Sequence, residues 1–141
     1  MELELKRTSE PFGLELKNEL GFICPIDGKS DIGGKNGGFR PMELLAGSLA
    51  ACASIDVLLI LKKQKIEVLD YSIHIEAERV DGVPSPFKEI TLGFEIDLGD
   101  ENSTENIQKI ERAIQLSVEK YCSVTASLDS KISIKTTLKL R

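Results

Sequence analysis

Leu44-Leu45-Ala46-Gly47-Ser48-Leu49-Ala50-Ala51-Cys52-Ala53-Ser54-Ile55-Asp56-Val57-Leu58-Leu59-Ile60-Leu61 is the most apolar stretch of this 141-residue chain. It reaches the minimum length of a membrane-spanning helix. Asp56 near its middle, Gly47 and the lack of an aromatic belt argue instead for the central helix of a soluble domain, buried on nearly all sides. Pro41 suits the first helical position, and Lys62 and Lys63 suit the last turn. The small residues Ala46, Gly47, Ser48, Ala50, Ala51, Ala53 and Ser54 let another backbone approach closely, a symmetry mate included. Cys52 lies in the middle of this run.

Upstream, Met1, Leu3 and Leu5 alternate with Glu2, Glu4 and Lys6, which predicts a strand. Phe12, Leu14 and Leu16 alternate in a second strand, a hairpin partner of the first, and Leu20 to Ile26 suggest a short third. Gly28 to Gly38 holds five glycines in eleven residues and is a loop. Downstream, residues 69–77 and 90–96 show period-two alternation, separated by a turn containing Gly82, Pro84 and Pro86. Asn102 and Glu105 have the spacing of a capping box at the start of a helix. Its buried stripe is Ile107, Ile110, Ile114, Val118 and Tyr121. A short turn over 123–129 and a last strand with Ile132, Ile134, Leu138 and Leu140 complete the chain. The order β-β-(β)-α-β-β-α-β predicts an α+β fold, a mainly antiparallel sheet with two principal helices, as one domain over 1–141.

An apolar share of 41% and a charged share of 29% are those of a globular domain, not a disordered one. The net charge of −5 argues against non-specific binding to nucleic acid, and no membrane partner is expected. The first residues lack the pattern of a signal peptide, and three cysteines do not make a secreted disulfide framework, so the cytoplasm is the expected compartment.

Few motifs carry chemistry. Gly28-Lys29-Ser30 resembles the end of a phosphate loop, but Ile23 stands where the motif needs glycine. No ligand cluster predicts a metal, and no cofactor is expected. A hydrolase triad would need His74, the only histidine, as its base, and His74 falls on the polar face of a strand. The thiols remain. Cys24 before Pro25 reads as a packed side chain. Cys122 lies at a helix boundary. If it starts the turn after it, free N–H groups favour its thiolate; if it ends the helix before it, the dipole opposes one. Cys52 in an apolar helix is pushed toward the neutral thiol, and Asp56 one turn on adds to that. Activation then calls for a cation, with Arg40 and Arg7 as candidates. Glu43 could position a cation or take a proton, although at about 100° per residue it falls across the helix axis from Cys52. Met42 lies nearer the Cys52 face.

The run Pro41-Met42-Glu43-Leu44-Leu45-Ala46-Gly47-Ser48-Leu49-Ala50-Ala51-Cys52 with Ile55-Asp56-Val57 resembles the central helix of the OsmC/Ohr family, the osmotically inducible and organic hydroperoxide resistance proteins. Glu119-Lys120-Tyr121-Cys122-Ser123-Val124 resembles that family's second cysteine motif. The resemblance implies an intertwined homodimer that reduces organic hydroperoxides. In it Cys52 would form a sulfenic acid, Cys122 would capture it as a disulfide, and a dithiol would reduce the pair. Such condensation protects sulfur from over-oxidation. The chain departs from the family pattern where Met42 stands in place of a supporting glutamate, where Ser123 replaces a proline, and where a glycine-flanked arginine has no counterpart. The site expected from the sequence is therefore Cys52, Cys122, Glu43 and Arg40. The competing reading is a non-catalytic dimer that holds a small hydrophobic ligand. A Cys52 thiol more acidic than ordinary supports the enzyme, and a less acidic one supports the binder.

Overall fold

In the computed structural model, which describes residues 1–100 and 102–141, two compact units divide the chain after Leu45. Each has its own three-stranded sheet.

In the first unit, β1 (Leu3–Ser9) pairs antiparallel with β2 (Gly13–Asn18), and β2 with β3 (Ile23–Ile26). The third strand is shorter than its apolar pattern suggests, because Gly21 turns in the left-handed region and Asn18 Oδ1 accepts from the Leu20 and Phe22 N–H groups. The glycine-rich loop is organised rather than slack. Asp27, only 5% exposed, accepts from Gly28 N–H through one carboxylate oxygen and from Lys35 and Gly37 N–H through the other, at 2.7 to 2.9 Å. Gly34 and Gly38 permit this fold, since a Cβ would stand 2.0 Å from Gly28 O at the first and 2.4 Å from a Pro25 carbon at the second.

The Gly37 N–H bond, ahead of the opposing effect of burial, holds the Asp27 carboxyl below its usual range, with the Gly28 and Lys35 N–H groups adding to it. A depressed folded pKa stabilises above the unfolded value, near 4, and that stability is lost as pH falls through the folded value. Asp27→Asn sets an NH₂ group against N–H donors. The variant is expected to melt below the wild type at neutral pH, with the gap starting to narrow at about pH 4 and closing only below the depressed folded value. Thermal midpoints measured against pH check this, and a gap that persists in acid contradicts it.

α1 (Pro41–Lys63) begins in the first unit and runs through the second. Its length and composition would suffice to cross a membrane. In the second unit, however, one face is buried through Ala46, Leu49, Ala50, Ala53, Val57 and Leu61, at helical spacing. The opposite face is also apolar but open, with Ile55 61%, Leu58 38% and Leu59 50% exposed. Burial is thus one-sided in a single chain, not nearly complete as the sequence suggests. Both faces are apolar, so composition does not distinguish them.

The second sheet has the order β4-β5-β6, with β4 at Asp70–Arg79, β5 at Phe87–Asp97 and β6 at Ser133–Leu140. Central β5 buries Phe87, Ile90, Leu92, Phe94 and Ile96. β4 is antiparallel to β5, whereas β6 is parallel to it, in register from Glu89↔Ser133 to Ile96↔Leu140. Parallel pairing follows from the crossover through α2 (Thr104–Leu116) between them. The other strand pairs are antiparallel, so the architecture is α+β with two main helices, as expected, in two sheets rather than one.

α2 is capped one residue later than its sequence suggests. The Ser103 hydroxyl accepts from Asn106 N–H at 3.1 Å, while Asn102 donates to Gly99 O and is spent in the preceding turn. Ile110, Ile114 and Val118 are buried as the stripe predicts; Tyr121 is half exposed. The reason is a π-turn over Ser117–Tyr121, which shifts the helical phase before Tyr121.

Candidate active site

Cys52 and Cys122 come together within the second unit, from α1 and from the junction between the π-turn and α3 (Ser123–Ser127). Buried Ser117 sets their register. Its hydroxyl donates to Ala53 O at 3.0 Å, beside Cys52, and its own carbonyl accepts from Cys122 N–H at 2.8 Å. The second bond spans five residues and defines the π-turn, a distortion that recurs at functional sites. The sequence reading passes over Ser117. Its one signal is a polar residue on the apolar stripe of α2, three places after Ile114.

Both alternatives left open at Cys122 hold, since it closes the π-turn and also starts the helix after it. Cys122 is the N-cap of α3, and its sulfur accepts from Thr125 N–H at 3.4 Å. Burial pushes the Cys122 thiol up, but the Thr125 hydroxyl and N–H, the Cys52 thiol and the Val124 N–H together bring it below its ordinary value. Thr125 Oγ1 is buried, and the Cys122 sulfur is the group its hydroxyl faces.

Cys52 is the more accessible thiol, and its environment works the other way. The Val124 N–H pulls it down, but burial and the adjoining Cys122 sulfur outweigh that and raise it above the ordinary value. Ser123 N–H also reaches the Cys52 sulfur. Asp56, expected from the sequence to oppose a thiolate, is not among the leading influences, nor is any arginine.

Arg40 and Glu43 are joined to each other in the first unit. Arg40 is the residue before α1; its N–H and its guanidinium both donate to the Glu43 carboxylate, at 2.9 and 2.7 Å, and the guanidinium also reaches Asn36. The Arg40 N–H bond, then the guanidinium, holds the Glu43 carboxyl below its usual range. Glu43 reaching back to the residue before the helix is half of a capping box, a helix-starting role that needs no redox chemistry. His74 and Glu76 form an exposed pair on β4, as the surface reading of His74 has it. Cys24 contacts its neighbour Pro25 O from β3. Among the described residues no cluster of His, Cys, Asp and Glu is arranged to hold a metal.

A groove of about 600 Å³ lies between α1 and the end of α2, lined by Asp56, Ile60, Lys63, Gln64, Leu116 and Tyr121. It begins one helical turn after Cys52 and at the residue before Cys122. Among the described residues, Asp56 Oδ2 is buried without a hydrogen-bond partner.

Known proteins are similar to this chain in sequence and fold. Protein YhfA of Escherichia coli K12 is 35% identical over 97 residues, 67% of this chain and 67% of its own length. The crystal structure of a hypothetical protein from Aquifex aeolicus VF5 superposes with a TM-score of 0.80 at 30% identity, covering 99% of this chain and 95% of that one. The organic hydroperoxide resistance protein OhrB of Bacillus subtilis shares the fold at 19% identity and a TM-score of 0.64, covering 99% and 98%. A family model for OsmC-like proteins matches residues 34–137, a span that contains the central helix, both sulfurs and the Ser117 register between them. The chain therefore belongs to the OsmC-like protein family.

Proposed function

We propose that this protein reduces organic hydroperoxides through the Cys52/Cys122 pair. The observation that supports this reading most is the contact of two free thiols carried by elements about seventy residues apart, with peptide N–H groups directed at both sulfurs. Cys52 sulfur attacks the terminal peroxide oxygen; the S–O bond forms as the O–O bond breaks, and the alcohol leaves. Cys122 then displaces hydroxide from the Cys52 sulfenic acid, giving a disulfide and water. A dithiol reductant exchanges with that disulfide and restores both thiols. The groove between α1 and the end of α2, with Ile60, Leu116 and Tyr121, offers apolar surface for an alkyl group. We place this chemistry in the cytoplasm, where the thiols stay reduced between turnovers. Cumene hydroperoxide and a dithiol given to the purified protein test it: consumption of peroxide beyond the dithiol's own rate is expected, and none refutes it.

A second reading is favoured by one observation, the raised Cys52 thiol. In that reading the dimer binds a hydrophobic ligand and the cysteines only line the site. It expects cumene hydroperoxide to leave both thiols titratable.

We also infer a homodimer. The open apolar face of α1 (Ile55, Leu58, Leu59) and, separately, the exposed Leu3, Leu5, Phe22 and Ile23 of the first unit are surfaces suited to a second copy. Leu59→Glu is expected to convert the dimer to a monomer in light scattering. A variant of unchanged mass contradicts the assignment of this face.

A further inference from the structure

Ser117 is a serine where α2 and the turn after it otherwise present isoleucine, alanine and valine to the core. It is wholly buried within one chain, so a second copy does not reach it. A buried hydroxyl is tolerated where it is hydrogen-bonded, and all three polar groups of Ser117 are committed. Its N–H is shared between Ala113 O and Ile114 O, its hydroxyl donates to Ala53 O at 3.0 Å, and its carbonyl accepts from Cys122 N–H at 2.8 Å. The last two bonds end at the residue next to Cys52 and at Cys122 itself. Ala53 lies in the interior of α1, where a carbonyl keeps a second lone pair beside its helix bond, so the hydroxyl takes nothing from the helix. In an unbroken α-helix Cys122 would fall about 140° round the axis from Ser117. The bond over five residues winds the chain wider and brings Cys122 back toward the Ser117 side, where α1 lies and the two sulfurs meet.

We propose that Ser117 is a positioning residue for the disulfide step: its hydroxyl holds the backbone at Ala53, its carbonyl holds the backbone at Cys122, and the two sulfurs are thereby kept in bonding register before oxidation. In the hydroperoxide-reductase reading, on which this assignment rests, the Cys122 sulfur attacks the sulfenic sulfur of Cys52. The S–S bond forms, the S–O bond breaks, and the departing hydroxide takes the Cys122 thiol proton and leaves as water. Disulfide geometry is narrow, and a reaction between two groups of one molecule gains from an orientation fixed beforehand. The competing fate of the sulfenic acid is a second hydroperoxide, which oxidises it to sulfinic acid, leaves as alcohol and ends turnover. The register at Ser117 therefore sets how often Cys52 survives a cycle.

Ser117→Ala removes the hydroxyl and keeps both backbone groups. Equilibration in glutathione buffers, read by alkylation and mass spectrometry of the two cysteine peptides, needs no peroxide. The equilibrium constant for the Cys52–Cys122 disulfide is expected to fall on the order of tenfold in Ser117→Ala, which raises the potential by about 30 mV. A serine that only stabilises the core would lower the thermal midpoints of reduced and oxidised protein alike and leave that constant unchanged. With cumene hydroperoxide, the sulfenic acid, trapped with a 1,3-dione after increasing delays, is expected to live roughly tenfold longer than in wild type. A larger share of Cys52 then ends as sulfinic acid. Amide exchange in the wild type needs no variant: the Cys122 N–H is expected to be as protected in the reduced protein as in the oxidised one. A wild-type redox constant and sulfenic lifetime in Ser117→Ala overturn the positioning role, as does a Cys122 amide that exchanges freely in the reduced protein. A constant that falls as expected in a protein that ignores the hydroperoxide overturns the reductase reading and leaves the positioning role established.

Discussion

Replacing Cys52 with serine is expected to lower hydroperoxide turnover by about a thousandfold or more, because a hydroxyl at this position lacks the nucleophilicity of sulfur and forms no sulfenic acid. The fold should survive. Cys52 is half-buried on α1, and serine differs from it by one atom that the helix can accommodate. Turnover of cumene hydroperoxide with excess dithiol, read beside the thermal midpoint of the same sample, separates lost chemistry from lost structure. Unchanged turnover in Cys52→Ser contradicts the mechanism outright. Turnover lost together with a melting point far below wild type would instead assign Cys52 to the core.

Phe94→Ala is expected to produce the largest loss of stability, about 3–5 kcal/mol. Phe94 is almost wholly buried on central β5, and its ring meets Tyr71 edge-on with centroids 6.3 Å apart. Both the transfer of the ring to water and the cavity left between strand neighbours contribute, and the lost aromatic contact adds to them. Against a typical total of about 5–15 kcal/mol this is a large fraction. Urea unfolding measures it, with Phe94→Leu as the conservative control. A cost below about 1 kcal/mol would mean that β5 does not carry the core of the second unit.

Much of this fold was legible because its strongest signals are local. The apolar run after Pro41 forms the helix its caps predict, and the alternation of residues 90–96 marks the buried face of β5. What the pattern could not express is non-local. The parallel seating of β6 depends on which edge of β5 the crossover reaches, and a period-two pattern is the same for either direction. The division of strands between two sheets is equally invisible to periodicity.

At the site, the family motifs single out the two sulfurs that the structure brings together, while chemistry alone left Cys122 undecided between two helix ends. Cys122 is in fact at both, closing the π-turn and capping α3, and the π-turn hinges on Ser117, a residue a stripe of isoleucines hides. Glu43 was legible as a group near a cation, but its sequence position three residues after Arg40 equally fits a helix cap, the role its hydrogen bonds fill. Asp27 was missed because a glycine-rich stretch reads only as a loop until a buried carboxylate is found gathering its N–H groups.

The account stands most directly on whether Cys52 and Cys122 are a redox pair. One equivalent of cumene hydroperoxide added to the reduced protein, followed by peptide mass spectrometry without reductant, measures this. The predicted product is a single Cys52–Cys122 disulfide, with Cys24 still a free thiol. Cys52 recovered unmodified, or oxidised to sulfinic acid while Cys122 stays reduced, would contradict it.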